Sequence, residues 1–447
     1  MKIIRDPVHG DIMLTPEEMR LVDTREFQRL RGIRQLGTSY LVFPGAQHTR
    51  FEHSLGTCWL AKKKAEVVNQ RARRARIAEP IDQDETRFLG FAALLHDITH
   101  IPFGHTFEDE RRILPPHDKN QERLYFFTHQ GELADVLEDL GVRERLYHFF
   151  LNGKERDPQF TYQAVAGPIS ADLLDYLARD AYYCGLHMAY DDRIFRYLDV
   201  EGGRLYFNLY TDRGFRQDAW SELIHLLRIR YHLTERVYYH HTKMVSGAML
   251  SRLLEALIEA GGIEIAELYG LRDDAFIHLL ERRIGKIRHY TPLLSAFLSR
   301  HLYKRVYMVA KDPLNLDFPS AEAMTRFQNE FHENQQQARS ALEQQLARQL
   351  GIPASAIIIY APETQMRLKE ANVLARVDSG PLVKLSDVQH PELEALRNRH
   401  QALWKFFLFM HPKYEHRFPK AAQLMEQTIG LPNQLELLNK GQLTLGF

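Results

Sequence analysis

The chain has 447 residues, room for two or three domains or for one large domain with an appendage. Hydrophobic residues make up 45% and charged residues 26%, a globular composition that excludes a disordered or membrane-embedded chain. Lys+Arg and Asp+Glu balance at 58 each, which argues against a general attraction to nucleic acid and leaves only a local basic patch. In chain order, the alternation of Ile4, Val8, Ile12 and Leu14 around Pro7 and Gly10 predicts a short hairpin. Thr15-Pro16-Glu17-Glu18 predicts a capped helix start, with Glu18 completing a capping box. A second helix follows Asp23-Thr24, with Phe27, Leu30 and Ile33 on one face.

Helical periodicity then dominates to about residue 310. It predicts helices over 49–75, 86–97, Asp172 to about Gly185, and 218–260, the last ended by Gly261-Gly262. Arg204–Tyr210 alternates like a strand. Composition shifts at Lys311-Asp312-Pro313 and Phe318-Pro319. Beyond it, Ser320 caps a polar helix running to Gly351, and the apolar runs Ala356–Tyr360, Val373–Val377 and Leu382–Leu385 predict strands. Helices return over 391–410 and 419–428. The expected fold is mainly α, with a helical core over 1–310 and a smaller α+β lobe over 311–447.

Cys58 and Cys184 make no disulfide framework, and their helical, apolar contexts suit packing better than nucleophilic chemistry. A reducing compartment follows. The N-terminal residues lack a signal-peptide run, and no stretch approaches the ~18 apolar residues of a membrane span, so a cytoplasmic chain without a membrane partner is expected.

The chemistry concentrates in the histidines between 48 and 117: His48, His53, His96, His100, His105 and His117. Two precede aspartate. His117-Asp118 follows Pro115-Pro116 in a polar stretch and suits a solvated loop. His96-Asp97 ends the run Phe88-Leu89-Gly90-Phe91-Ala92-Ala93-Leu94-Leu95, which is apolar all round and therefore buried. An imidazole and a carboxylate there need a partner, and a divalent metal accepts both. His53 lies on the preceding helix three residues from Arg50, so the two share a face. Taken alone, His53 fits a hydrogen-bonded helix histidine better than a ligand. Asp172, Tyr176 and Asp180 recur at i, i+4, i+8, which puts a carboxylate, a phenol and a second carboxylate on one stripe. Asp172 alone could be a helix cap, and Tyr176 alone a core residue. The basic run Lys62-Lys63-Lys64 with Arg71, Arg73, Arg74 and Arg76 is a solvated helix face more readily than a nucleic-acid contact.

These segments, with Asp6-Pro7-Val8-His9-Gly10, Phe27-Gln28-Arg29-Leu30-Arg31, Val42-Phe43-Pro44-Gly45-Ala46, the stretch from His96 through His105, and Asp175 through Asp180, resemble the HD superfamily. Within it they resemble the deoxynucleoside triphosphate triphosphohydrolases, both those with a SAM domain and bacterial relatives without one. The match is dense from residue 2 to about 260. The resemblance implies a helical HD core whose divalent metal (Mn, Fe, Mg, Zn or Ni) is held by His53, His96, Asp97 and Asp172. It implies catalytic roles for His100, His105 and Glu108 near the phosphates and attacking water, with His117 a looser match. It places Arg50 at a phosphate, Gln35 and Leu36 at the deoxyribose, and Tyr176, Asp180 and Tyr238 at sugar and phosphate. Lys2, Asp23, Gln28 and Arg31 match an allosteric nucleotide site; Arg5 and Asp11 depart from it.

The implied reaction is attack of water on the α-phosphate of a dNTP, assisted by a metal that polarises a phosphoryl oxygen and a histidine backed by a carboxylate. Products are a deoxynucleoside and inorganic triphosphate. Leu173 stands where the family carries a lysine beside the metal aspartate, and Thr234 and Tyr239 replace a histidine and a glutamine on the base side. The alternatives are a phosphatase or nuclease acting on nucleoside monophosphates or single-stranded nucleic acid, and a nucleotide-sensing binding protein. Implied partners are the nucleotide substrate, further copies of the chain in a dimer or tetramer, and a nucleotide effector.

Overall fold

The alternating first residues form the expected hairpin: β1 (Lys2–Asp6) pairs antiparallel with β2 (Gly10–Leu14) and buries Ile12 and Leu14. Asp6 Oδ1 accepts the amides of Val8 and His9 across the turn, and Gly10 takes a φ of +78° to close it. The structure, a computed structural model, describes residues 1–117, 120–156, 159–311, 319–333, 336–364, 366 and 368–435. Thr15 caps α1 (Pro16–Val22), and Glu18 returns a bond to the Thr15 amide, as the capping box requires. The second helix is shorter than expected. α2 (Arg25–Arg29) tightens into a 3₁₀ turn over Leu30–Gly32 and Ile33 is extended, yet Phe27, Leu30 and Ile33 are all buried.

α3 (Arg50–Ala75) and α4 (Gln83–Leu95) carry the centre of the core. Every residue of α4 from Phe88 to Leu95 is buried. The helix starts at Gln83, with Asp82 as cap, and stops at Leu95, so His96 and Asp97 stand just past its end rather than within it. α5 (Gln121–His129), α6 (Gly131–Asp139), α7 (Arg143–Arg156) and α8 (Gln159–Ala166) lead to α9 (Ala171–Tyr183), whose N-cap is Ser170. α9 packs across α3 and brings residues 172 and 175 against His53.

β3 (Leu198–Glu201), β4 (Arg204–Asn208), β5 (Tyr210–Thr211) and β6 (Gly214–Phe215) follow. The expected single helix over 218–260 is two: α10 (Gln217–Leu233) and α11 (His241–Glu259), separated by a π-turn over Thr234–Tyr238. The Thr234 hydroxyl donates back to the Arg230 carbonyl and the Tyr239 amide reaches the Thr234 carbonyl, which widens the turn. His240 then caps α11. Gly261, at φ +62°, ends it as expected. α12 (Asp273–Ile284) and α13 (Thr291–Leu298) complete the helical core.

The remainder comprises β7 (Lys304–Ala310), α14 (Ala321–Phe327), α15 (Gln336–Leu350), β8 (Ile357–Tyr360), β9 (Leu374–Arg376), β10 (Val383–Lys384), α16 (Pro391–Gln401), β11 (Lys405–Met410) and α17 (Phe418–Ile429). Ser320 caps α14, but a π-turn over Gln328–Glu333 interrupts the helix expected to reach Gly351. The helix expected over 391–410 ends at Gln401. Residues 405–410 are instead the middle strand of the antiparallel sheet β7-β11-β8, with Phe406 through Met410 fully buried. A short all-apolar run fits a buried strand and a buried helix equally, and here the two flanking strands decide. The composition break at 312–318 lies outside the described residues.

The fold is mainly α, with a helical core and a small sheet-bearing C-terminal region. β4 pairs in parallel with β9, so one sheet joins strands from both parts. Among the described residues no helix is long and apolar enough to cross a membrane.

Candidate metal centre and phosphate site

Four side chains from three places in the chain meet between α3, α4 and α9. His53 Nε2 lies 3.1 Å from His96 Nε2, 3.1 Å from Asp172 Oδ1 and 3.7 Å from Asp97 Oδ2. His96 Nε2 lies 3.6 Å from Asp97 Oδ1 and 3.8 Å from Asp172 Oδ1. The far nitrogens of both rings are committed as donors: His96 Nδ1 to the Ala93 carbonyl at 2.8 Å, His53 Nδ1 to Asp175 Oδ2 at 2.7 Å. Both Nε2 atoms therefore present lone pairs to each other unless a cation sits between them. Two outer-ring donors, two inward nitrogens and two carboxylates form the donor set of a divalent metal site, and these residues fit such an ion.

Without an ion the cation is a proton. Burial disfavours a charged His53, but hydrogen bonds to Asp172 and Asp175 outweigh it and raise the imidazole to about 10. Burial likewise opposes the charge on Asp97, and the Arg50 guanidinium, 2.5 Å from Oδ2, still holds that carboxyl well below the ordinary range. Asp172 is lowered despite its burial by the bond from His53 and the nearby His96.

A second cluster adjoins the first. His100 Nε2 lies 3.1 Å from Asp97 Oδ1. Its ring packs 3.7 Å from that of His117 and 4.8 Å from that of His105. Glu108 Oε2 accepts from His117 Nδ1 at 3.0 Å and pairs with His105 Nδ1 at 3.3 Å, while Arg123 holds Oε1 at 3.2 Å. Burial and the Arg50 charge keep His100 neutral, well below its usual range. Burial works against a charged His105, but Glu108 prevails and raises it. The turn bearing His105 is tight: Phe103 and Gly104 both have left-handed φ, +60° and +54°, and Asp273 Oδ1 takes the Phe103 amide at 2.8 Å. Arg50 Nε and Nη2 are buried without a protein partner, as is His100 Nδ1. Such orphans call for a polar ligand. Asp118 lies outside the described residues.

At the other end, Asp180 accepts from Tyr238 Oη at 2.6 Å and from His48 Nε2 at 2.8 Å. The Arg230 guanidinium lies over the rings of Tyr176 and Tyr238, 5.3 and 5.1 Å from their centroids. Gln35 Oε1 is buried and unpartnered, beside the buried Leu36.

A family model described as the HD domain matches residues 50–161, and one described as the HD associated region matches residues 224–436. The chain belongs to the HD superfamily. Its HD pair, His96-Asp97, lies within the first matched segment. The chain is 29% identical over 416 residues to an uncharacterized protein of Methanocaldococcus jannaschii, covering 92% of this chain and 79% of that one. It is 29% identical over 360 residues to the deoxynucleoside triphosphate triphosphohydrolase SAMHD1 of Bos taurus, covering 68% and 58%, and 29% identical to that of Homo sapiens, covering 68% and 55%. It therefore spans little more than half the length of those two relatives. Its fold is shared with a phosphohydrolase structure from Bacteroides thetaiotaomicron (TM-score 0.67, 22% identity, 92% of this chain and 100% of that one). A hypothetical protein from Aquifex aeolicus is similar (TM-score 0.63, 23% identity, 94% and 98%).

The remaining expected site residues lie apart from this HD centre. Gln28 accepts from Arg31 Nε at 2.8 Å and donates to the Val22 carbonyl, next to Asp23. Lys2 is exposed at the head of β1 and bonds to none of them. The basic run on α3 divides: Lys62 pairs with Glu18, Lys64 is fully buried against the Ile169 carbonyl and Arg71 pairs with Asp199, while Arg73, Arg74 and Arg76 are exposed as a solvated face would be. Sequence pattern alone does not single out His9, Asp175, Arg179 or Arg123, and gives His48 no role beyond its place among the clustered histidines. An i, i+4 Asp175–Arg179 pair inside an apolar helix was the available signal for two of them.

Proposed function

We propose that the protein is a metal-dependent phosphohydrolase acting on nucleotides, and that it converts dNTPs into deoxynucleoside and inorganic triphosphate. The observation that carries this is the pair of facing His53 and His96 nitrogens between Asp97 and Asp172, bordered by an Arg50 with two free donors. The relatives named deoxynucleoside triphosphate triphosphohydrolase support the choice of substrate.

In this proposal His53, His96, Asp97 and Asp172 hold the ion, which when bound supplies Lewis acidity and an acidified water. Arg50 binds a phosphoryl oxygen through Nε and Nη2. Neutral His100 donates a hydrogen bond to the phosphate. His105, whose affinity for a proton Glu108 raises, delivers a proton to the leaving oxygen, and His117 shares that carboxylate. Asp180, Tyr176 and Tyr238 hold the sugar end, with Gln35 and Leu36 against the deoxyribose. Lys2, Asp23, Gln28 and Arg31 form an effector site, and the chain works as a homo-oligomer. Residues 1–310 form the catalytic unit and 311–447 its lobe, with β7 at the end of the first part packing into the lobe's sheet and into the second apolar cluster around Trp404 and Phe406.

Leu173 is buried beside Asp172, so no lysine charge reaches the phosphates from that position. Purified protein incubated with each dNTP, with products resolved by anion exchange, tests the proposal. Inorganic triphosphate in step with deoxynucleoside is the expected result. Its absence with every dNTP, while a nucleoside monophosphate or a single-stranded end is cleaved, would replace the substrate and keep the enzyme class.

A further inference from the structure

Behind the metal-facing side of His53 lies a set of charges that no step above uses. Asp175 is fully buried and accepts four bonds: from His53 Nδ1 at 2.7 Å, His9 Nε2 at 2.6 Å, and Arg179 Nε and Nη2 at 2.8 and 2.9 Å. Arg179, also fully buried, gives Nη1 to Asp6 Oδ2 at 2.8 Å. Asp6 Oδ1 in turn holds the amides of Val8 and His9. The His9 ring stacks on Trp59 of α3, 4.8 Å between centroids. His9 is 166 residues from Asp175 in sequence, so the bond ties the N-terminal turn to α9. Gly56 faces the same assembly: a Cβ there would stand 1.8 Å from Asp175 Oδ1 and 2.5 Å from Arg179 Nη2, which shows how closely the carboxylate is seated.

A histidine holding a metal needs its outer nitrogen committed to an acceptor, which fixes the tautomer and the ring plane. Asp175 is that acceptor, and it cannot rotate because three other donors claim its two oxygens. Two of those come from Arg179, whose own position depends on Asp6, and one comes from His9. We infer that the turn of the N-terminal hairpin is the rear support of the metal centre, with His9 and Asp6 acting as positioning residues that aim His53 at the ion through Asp175 and Arg179. The inference rests on the proposed metal site and adds to it residues that touch neither metal nor substrate.

The test is metal affinity of the full-length protein, measured by competition with a chromophoric chelator and by elemental analysis after dialysis, with Mn²⁺ and Zn²⁺ as probes. His9→Phe keeps an aromatic ring on Trp59 and removes the donor to Asp175. It is expected to weaken metal binding about ten-fold or more, the usual effect of losing an outer partner of a ligand histidine. His9→Gln, which can still donate, is expected to recover most of the loss; a merely structural role for the ring would give the opposite order. If His9→Phe does not fold, Asp6→Asn decides, since it keeps the cap on the turn amides and faces Arg179 with an amide. Wild-type affinity in a folded His9→Phe or Asp6→Asn protein overturns the inference. Failure of the underlying site is separate: then His53→Ala would bind as much metal as the wild type.

Discussion

Replacing Gly56 by alanine sets two opposed effects against each other. Gly56 lies in α3, and in a helix interior alanine is favoured over glycine by about 1 kcal/mol. Against this, the new Cβ would lie 1.8 Å from Asp175 Oδ1 and 2.5 Å from Arg179 Nη2. Both atoms end side chains, but neither is loose. Oδ1 is held by His9 at 2.6 Å and by Arg179 at 2.9 Å, and neither Asp175 nor Arg179 is exposed. Relief requires the carboxylate to leave its donors. Buried bonds to charged groups are worth about 1.5–3 kcal/mol each, and overpacking adds about 1–3 kcal/mol. Losing one bond and part of the packing already exceeds the helix gain, for a net loss of about 2–4 kcal/mol. Urea and thermal denaturation of the metal-stripped protein read this as an earlier midpoint, about 2–4 °C lower at roughly 1 °C per kcal/mol for a chain of this length. An alanine variant as stable as the wild type would refute the claim that Asp175 and Arg179 are fixed.

Two further outcomes follow from the charges. Burial lowers Lys64 to about 7 in the folded protein, against an ordinary value of about 10.4. Between those values the unfolded chain binds the extra proton, so stability rises with pH across the window, by an amount on the order of 4 kcal/mol. Lys64→Met should lose that rise; denaturant midpoints at pH 7 and pH 10, both in chelator, measure it, and parallel pH trends in the two proteins would count against a neutral Lys64. Glu108→Gln removes the carboxylate behind His105 and His117 and is expected to lower kcat about 100-fold. Because Glu108 raises His105, the basic limb of the pH–rate profile should also move to lower pH in this variant; an unmoved limb would assign the titration elsewhere.

Much of the fold was legible because the deciding signals are local. The capping box at Thr15 and Glu18, the all-apolar run before His96 and the glycines after α11 each determine their neighbours' conformation within a few residues. Where the outcome depends on distant partners, periodicity misleads. Residues 405–410 are as apolar as a buried helix segment, and only pairing to β7 and β8 makes them a strand. The break after α10 has a local trigger, the Thr234 hydroxyl, but a threonine in a helix gives no sign of whether it will bond backwards or face out.

The site divides in the same way. His96 and Asp97 were open to sequence because an imidazole and a carboxylate at the end of a buried apolar helix must be compensated, whereas His53 and Asp172 each had an ordinary reading and joined them through the family resemblance. Their convergence within 3.1–3.8 Å turns the four into one donor set. His9 and Asp6 give no such signal. In Asp6-Pro7-Val8-His9-Gly10 they look like turn residues, and Asp6 does cap the turn. Their other bonds, to Arg179 and Asp175, exist only once the hairpin lies against α3 and α9. Asp175 is the link between the two kinds of information. It lies one turn after Asp172 on α9, yet its bonds to His53 and His9 come from 122 and 166 positions away. A carboxylate that faces inward between two possible ligand positions is therefore assigned by counting the donors that converge on it, and on Asp175 those donors point away from the metal.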